Sequence, residues 1–251
     1  MDDIELLLDL HRDGQRQGPG SAADTRRAVE LSGLQGQTDL AVADLGCGTG
    51  ASTMVLAQEL NATISAVDLF PDFLDVLTAS AQQKGLADRI NSNACSMDAL
   101  PFADNSFHAI WSEGAIYNVG FANGIKILRR LLKPGGVLAV SELTWLTNNR
   151  PQELQAHWTQ EYPEVDTASA KMATLEQNGY VPIGYFALSK SSWLEHYYHP
   201  LQDRFAAFLS RHGHSDAAQA IVASELREIE LYERYADFVS YGYYIAQKQV
   251  S

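Results

Sequence analysis

The sequence predicts an α/β fold: a doubly wound, mostly parallel sheet with helices on both faces and a helical cap. Three observations carry this. Strand-like and helix-like segments alternate strictly from Asp39 to Trp145, the pattern of a parallel sheet built from crossover units. A glycine-rich turn, Gly46-Cys47-Gly48-Thr49-Gly50, joins the first strand of that series to its helix. The 251 residues, 46% hydrophobic and 20% charged, are enough to bury one large core.

Residues 1–38 read as a short amphipathic stretch, a Gly-Pro-Gly-Ser turn at Gly18 to Ser21, and a helix capped by Asp24 that ends near Gly33. LAVADL is then a short buried strand, and the segment after the glycine turn has helical spacing. TISAVDL is a second strand. The next helix has Pro71 in its first turn and Gly85 as its stop. ADRINSNACSMDAL holds a third strand and FHAIWSE is a fourth. GIKILRRLL is a helix ended by a Pro-Gly-Gly turn, and VLAVSELTW is a fifth strand.

The last hundred residues differ. Pro151 opens a helix to about Glu161, and Asp166 caps another that closes at Asn178-Gly179. YVPIGYFAL is strand-like. Ser192 and Glu195 have capping-box spacing, and Pro200 interrupts the helix that follows. Two more helical patterns, Leu201 to Arg211 and Asp216 to Phe238, precede a last strand, YGYYIAQK. The expected organisation is one domain over 1–251: an N-terminal lid (1–38), a cofactor-binding core (39–147), helical cap insertions around a sheet strand (148–240) and the last strand (241–248).

Composition excludes several classes. With 18 basic and 31 acidic residues the formal net charge is −13, which repels phosphate backbones. Nucleic acid and anionic membranes are therefore not the expected partners. No run approaches the roughly 18 apolar residues of a membrane span. Met1 to Asp13 is acidic where a secretory signal is basic, so the expected location is cytoplasmic. Cys47 and Cys95 have no metal-ligand spacing and read as reduced, structural thiols. No His/Asp/Glu set has convincing metal spacing.

The glycine turn is where chemistry concentrates. Glycine permits a sharp turn and removes the side chain that blocks a close-approaching ligand, and the helix after it presents unpaired N–H groups. Asp44 sits two residues before the first glycine, placed to bond the turn or a cationic ligand group. Asp68 ends the second strand, about 20 positions past the glycines, where a carboxylate accepts from ribose hydroxyls. Gly46-x-Gly48-x-x-Ala51 also satisfies the loose dinucleotide fingerprint. On the residues alone, NAD and other adenosine cofactors both stay open.

VADLGCGTG, Asp68, SMDALPF and LKPGG together resemble the class I S-adenosylmethionine-dependent methyltransferases, over roughly Asp39 to Glu142. GPGS, DLFPDF, SMDALPF and IWSEGAIYNVGF resemble, more narrowly, a group of bacterial and archaeal small-molecule methyltransferases. The resemblance implies a Rossmann-like, doubly wound, mostly parallel seven-stranded sheet with a helical cap. It implies S-adenosyl-L-methionine as cofactor, with Gly46, Gly48 and Gly50 passing under its methionine and ribose parts and Asp44 near the methionine end. Asp68 then takes both ribose hydroxyls and Leu69 packs on adenine. Met97 flanks the ring beside Ser96, and Asp98 accepts from the adenine amino group. Glu113 faces the methionine part and the acceptor, and Gln17 to Ser21 close over the site.

The acceptor side is less defined. Tyr117 follows the fourth strand, where it either orients or deprotonates an acceptor or packs on a helix start. Glu142, after the fifth strand, divides between an acceptor-facing group and a solvated carboxylate. Trp193 to His199 concentrates aromatic and imidazole groups, with His196 and Tyr197 as candidate pocket residues and His196 as a candidate base. Trp145 and Trp158 read as packing. So do Tyr232, Tyr235, Tyr241, Tyr243 and Tyr244, with exposed hydroxyls. His212 and His214 read as solvated. The expected activity is methyl transfer to oxygen or nitrogen of a small molecule, with Glu113, Tyr117 and His196 as catalytic candidates. An NAD-dependent oxidoreductase and a non-catalytic S-adenosylmethionine-binding module are the alternatives. Exposed apolar residues in the cap suit a homodimer contact as well as a lid.

Overall fold

The computed structural model describes residues 3–250. Seven strands form one continuous sheet in the order β3-β2-β1-β4-β5-β8-β7. They are β1 (Leu40–Leu45), β2 (Ala62–Asp68), β3 (Ile90–Ala94), β4 (Phe107–Glu113), β5 (Leu132–Trp145), β7 (Tyr180–Ala187) and β8 (Val239–Lys248). A two-residue strand, β6 (Asp166–Thr167), pairs with the end of β5. The first five are mutually parallel, and β8 runs antiparallel to both β5 and β7. The chain reverses direction across the sheet between β1 and β4, and such a switch point leaves a crevice beyond the strand ends.

Both sheet faces are covered, so the central strands are apolar throughout rather than alternating. Val42, Ile64, Trp111, Ala139 and Tyr243 face one helix layer, and Ala43, Val67, Ile110, Val140 and Tyr244 face the other. The first layer takes α1 (Asp3–Arg12), α2 (Ala22–Ser32), α3 (Ala51–Glu59), α4 (Pro71–Gln83), α9 (His199–Arg211) and α10 (Asp216–Tyr235). The second takes α5 (Phe121–Leu131) and α7 (Ala168–Gln177). A further helix, α6 (Gln152–Glu161), contributes Leu154 and Trp158 to the first layer.

Several local expectations are corrected. Ser21, not Asp24, is the N-cap of α2: its hydroxyl accepts from Asp24 N and donates to the Asp24 carboxylate at 2.7 Å. Thr167, not Asp166, caps α7. The Pro-Gly-Gly segment is an irregularity inside β5, whose pairing with β4 jumps from Phe107↔Leu132 to Ala109↔Val137. Gly135, at φ +74°, makes the bend. Pro200 interrupts nothing. The helix begins at α8 (Lys190–Trp193), capped by Ser189, passes through a π-helical turn at Leu194–Tyr198 and continues as α9. Proline lacks the N–H and crowds the carbonyl four residues before it, and Pro200 sits in the first turn of α9, just past the π turn.

The tyrosines at the C-terminal end pack as expected, but their hydroxyls are not all exposed. Tyr243 bonds Glu113 at 2.9 Å, Tyr244 lies 2.7 Å from Thr144, and the Tyr232 hydroxyl is buried without a partner. Tyr232 instead stacks on Trp193, with ring centroids 4.4 Å apart and planes 14° apart, a contact worth about 0.5–1.5 kcal/mol beyond its buried area. Trp145 and Trp158 are buried in the same layer. Cys47 and Cys95 form no disulfide.

Candidate functional site

The crevice at the switch point is a cavity of about 490 Å³, within the size range of small-ligand sites. The end of β1 enters it through the glycine turn. The Gly46 and Cys47 amides donate to Val67 O at 2.8 and 3.0 Å, pinning the turn to β2. All three glycines have positive φ, +69°, +54° and +89°, a conformation L side chains rarely adopt. Their surroundings differ. A Cβ on Gly46 would overlap Ala115, one on Gly48 the Gln17 amide, and one on Gly50 the Leu77 side chain. Gly46 and Gly48 thus keep the cavity floor low, whereas Gly50 lets α3 pack against α4.

Asp68 closes the β2 side. Its carboxylate accepts from Gly48 N at 2.8 Å and Phe70 N at 3.0 Å, so both oxygens are fixed and each keeps a lone pair. Burial pushes its pKa up despite these amides. Asp44 is wholly buried and braces the turn from behind. One carboxylate oxygen accepts from Ser52 and Thr53 hydroxyls at 2.8 and 2.6 Å, and the other has no partner. Burial, with help from nearby Glu113, pushes its pKa up to about 7.

Glu113, at the end of β4, is the joint of the site. It accepts from Arg16 at 2.8 Å, Thr25 at 2.7 Å and Tyr243 at 2.9 Å, and so ties the N-terminal segment, α2 and β8 to the central strand. Gln17 lies across the glycine turn. Its oxygen accepts from Thr49 N at 2.9 Å, and its amide donates to the Thr49 hydroxyl and Gly14 O. Arg16 and Thr25 carry no motif, and Tyr243 reads in the sequence only as packing. They meet Glu113 only through packing.

The structure gathers Gln17, Gly46, Gly48, Asp68, Leu69, Ser96, Met97, Asp98, Glu113 and Tyr117 around this one cavity. Four other expected residues lie elsewhere. Asp44 stands behind the turn, as described. Gly50, Ser21 and His196 line a separate cavity of about 730 Å³ on the far side of the Gly14–Ser21 segment. This corrects the placement of His196, which is exposed on the outer side of the π turn while Tyr197 and Tyr198 point inward. His196 therefore has no geometric route to the groups at Glu113 and Tyr117.

The donor set suits an adenosyl cation. Asp68 offers two fixed carboxylate oxygens to a vicinal diol. Asp98 and Glu113 add acidic character along the same wall, and Met97 and Leu69 supply apolar surface. Among the described residues no group of His, Cys, Asp and Glu has the geometry of a metal site, and no helix is long and apolar enough to cross a membrane.

Comparison with known proteins agrees. Residues 42–136 match a family described as "Methyltransferase domain". The chain is 32% identical over 103 residues to methyltransferase GfsG of Streptomyces halstedii, covering 41% of this chain and 37% of that protein. The match thus spans well under half of that relative's length. An S-adenosylmethionine-dependent methyltransferase from Geobacter sulfurreducens, solved with S-adenosyl-L-homocysteine, superposes with a TM-score of 0.85 over 98% of both chains at 16% identity. The [4+2]-cyclase SpnF superposes with a TM-score of 0.76 over 99% of this chain and 93% of its own, at 20% identity. The fold is that of the class I methyltransferases. Residues 42–136 thus match a methyltransferase domain, and the oxidoreductase alternative finds no support.

Proposed function

We propose that the protein transfers the methyl group of S-adenosylmethionine to oxygen or nitrogen of a small-molecule acceptor. The observation that carries this reading is the continuity of the cavity. It runs from Asp68, built for a ribose, past the glycine turn to Glu113, Gly114 and Tyr117 at the end of β4. A donor held at one end therefore presents its reactive end to groups on the acceptor side. The cofactor supplies an activated methyl on a positive sulfur.

The chain's own part is binding, alignment and exclusion of water. Gly46 and Gly48 give close approach of backbone, and Asp68 fixes the ribose. Gln17 and Arg16 hold the N-terminal segment over the turn. Glu113 has three partners already, so it acts as a frame that sets the height of Arg16 and Tyr243 rather than as a free base. Tyr117, 45% exposed at the cavity rim, is the residue best placed to touch an acceptor. The single-domain organisation given above belongs to this proposal, with residues 1–38 as lid.

The first test is thermal melting with S-adenosylmethionine, S-adenosylhomocysteine and NAD added separately. A ligand at a hundredfold excess over Kd stabilises by about 2.7 kcal/mol. Shifts of several degrees with both adenosyl compounds and none with NAD are expected. A shift with NAD alone sinks the proposal. Formation of S-adenosylhomocysteine with metabolite fractions then separates a methyltransferase from a cofactor-binding module without turnover.

A further inference from the structure

Beyond Gly114 the cavity wall changes character. Tyr241, on β8, lies against Gly114: a Cβ there would come within 2.9 Å of its ring and 3.7 Å of its hydroxyl. Tyr241 is enclosed by protein yet keeps accessible surface, as a residue facing an internal hollow does. Its phenol is within electrostatic reach of Tyr117 and Glu228. Tyr197, a residue only 9% exposed, is within electrostatic reach of Glu225, Glu228, Tyr241 and Tyr117. Among the described residues its hydroxyl makes no hydrogen bond, so this largely enclosed donor is free for a ligand.

The carboxylates on this space come from α10. Glu228 accepts from Tyr198 at 2.8 Å through one oxygen, and Glu225 lies 3.8 Å from the His11 imidazole. His11 stacks on Tyr197 with planes 15° apart. The π turn at Leu194–Tyr198 lets two successive tyrosines face inward, and π turns occur preferentially at functional sites. Glu142 adds negative potential from the β5 side. Two cations stand near this space: Lys171, over the Tyr162 ring at 5.1 Å and acting on Glu142, and Arg204, held by the carbonyls of Leu10 and Pro200 at 3.1 and 2.8 Å. With Lys171 offsetting Glu142, the α10 side keeps Glu225 and Glu228 beside the aromatic faces, a combination that favours an organic cation.

We infer that the space bounded by Tyr117, Tyr197, Tyr241, Glu225 and Glu228 is the acceptor subsite and that it takes an amine carried on an apolar body. This deepens the reading above and rests on it for the reaction. The amine enters as an ammonium and passes one proton to a carboxylate, for which Glu228 is suited, its pKa raised to about 7 by burial. The free nitrogen lone pair forms the new C–N bond as the C–S bond breaks, and that bond's electron pair stays on sulfur as S-adenosylhomocysteine. The methylated ammonium then leaves or loses its extra proton to water.

The test is calorimetric, on the full chain, with and without saturating S-adenosylhomocysteine. The probes are phenethylamine, the neutral 3-phenylpropan-1-ol and the anionic 3-phenylpropanoate. Phenethylamine is expected to bind at least tenfold tighter than the alcohol, with no binding of the carboxylate. Glu228→Gln and, separately, the more accessible Glu225→Gln are expected to cut that preference below threefold and leave S-adenosylhomocysteine affinity unchanged. Equal binding of amine and alcohol, preference for the carboxylate, or failure of all three to bind overturns the inference. Amine preference without S-adenosylhomocysteine binding supports the subsite and overturns the cofactor reading instead.

Discussion

The two sides of the cavity are put together from very different distances along the chain. On the β1–β2 side, Asp44, the glycine turn and Asp68 fall within 25 residues, and their mutual contacts are mostly backbone amides to carbonyls or carboxylates. On the β8–α10 side, His11, Tyr117, Tyr197, Glu228 and Tyr241 come from five separate elements and meet through side chains. The first side is held before any ligand arrives, because the Gly46 and Cys47 amides pin the turn to Val67 O and the Gly48 amide pins it to Asp68. The second depends on how the helices after β7 dock. The second side can thus vary while the first stays fixed.

Glu113 joins the two sides, so its removal is the harshest way to break the contrast. Glu113→Ala strands Arg16, Thr25 and Tyr243 together. Breaking a buried ion pair by deleting one partner costs about 3–5 kcal/mol, and chemical denaturation is expected to show a loss of that size. A loss under about 1 kcal/mol means that the two sides do not share this joint.

Gly46→Val probes the rigid side first. A branched side chain at φ +69° against Ala115 forces the turn to move, and S-adenosylhomocysteine affinity is expected to fall about 100-fold, or ~3 kcal/mol. Phenethylamine affinity measured without cofactor is expected to fall by less than about tenfold, since the push reaches the acceptor side only through Ala115, just before Tyr117. Parallel loss of both ligands would show that the sides are not independent. Asp68→Asn is milder. It keeps the size but removes the charge and turns an NH2 toward one of the Gly48 and Phe70 amides, and calorimetry is expected to show a loss of about 1.5–2 kcal/mol in cofactor binding.

A further effect is a pH dependence from Asp44. Its folded pKa, raised to about 7, lies above its unfolded value, so between about pH 4 and 7 the folded state holds the extra proton. Stability from this group is then full at the acidic end and falls as pH rises, by up to about 1.4 kcal/mol per pH unit. Asp44→Asn removes the dependence. The difference in melting temperature between wild type and variant is expected to shift in favour of the variant from pH 5 to pH 8. A difference that is flat across that range would mean the carboxylate ionises freely.

The glycine turn, Asp68, the SMDALPF segment and Glu113 could all be read from the residues because each lies at a strand end fixed by the local pattern. Tyr117 was legible for the same reason. His196 was not, since a periodic reading cannot tell which side of a π turn faces inward. Ser21 and Gly50 were assigned to the ligand by adjacency. In the structure Ser21 caps α2 and Gly50 accommodates Leu77. The bonds of Arg16, Thr25 and Tyr243 to Glu113 stayed invisible because a hydrogen bond between residues as far apart as Thr25 and Tyr243 are from Glu113 leaves no trace in spacing.

The sequence by itself determined the alternating sheet, the turn that approaches a ligand and the acidic residue beyond it. These follow from backbone geometry, which short-range residue choice controls. Only the tertiary structure decided what Glu113 does, which tyrosines face the hollow and that Glu228 stands behind them. Those outcomes depend on how α10 and the 190–211 helix pack on β8, and packing is settled by the summed fit of many distant side chains.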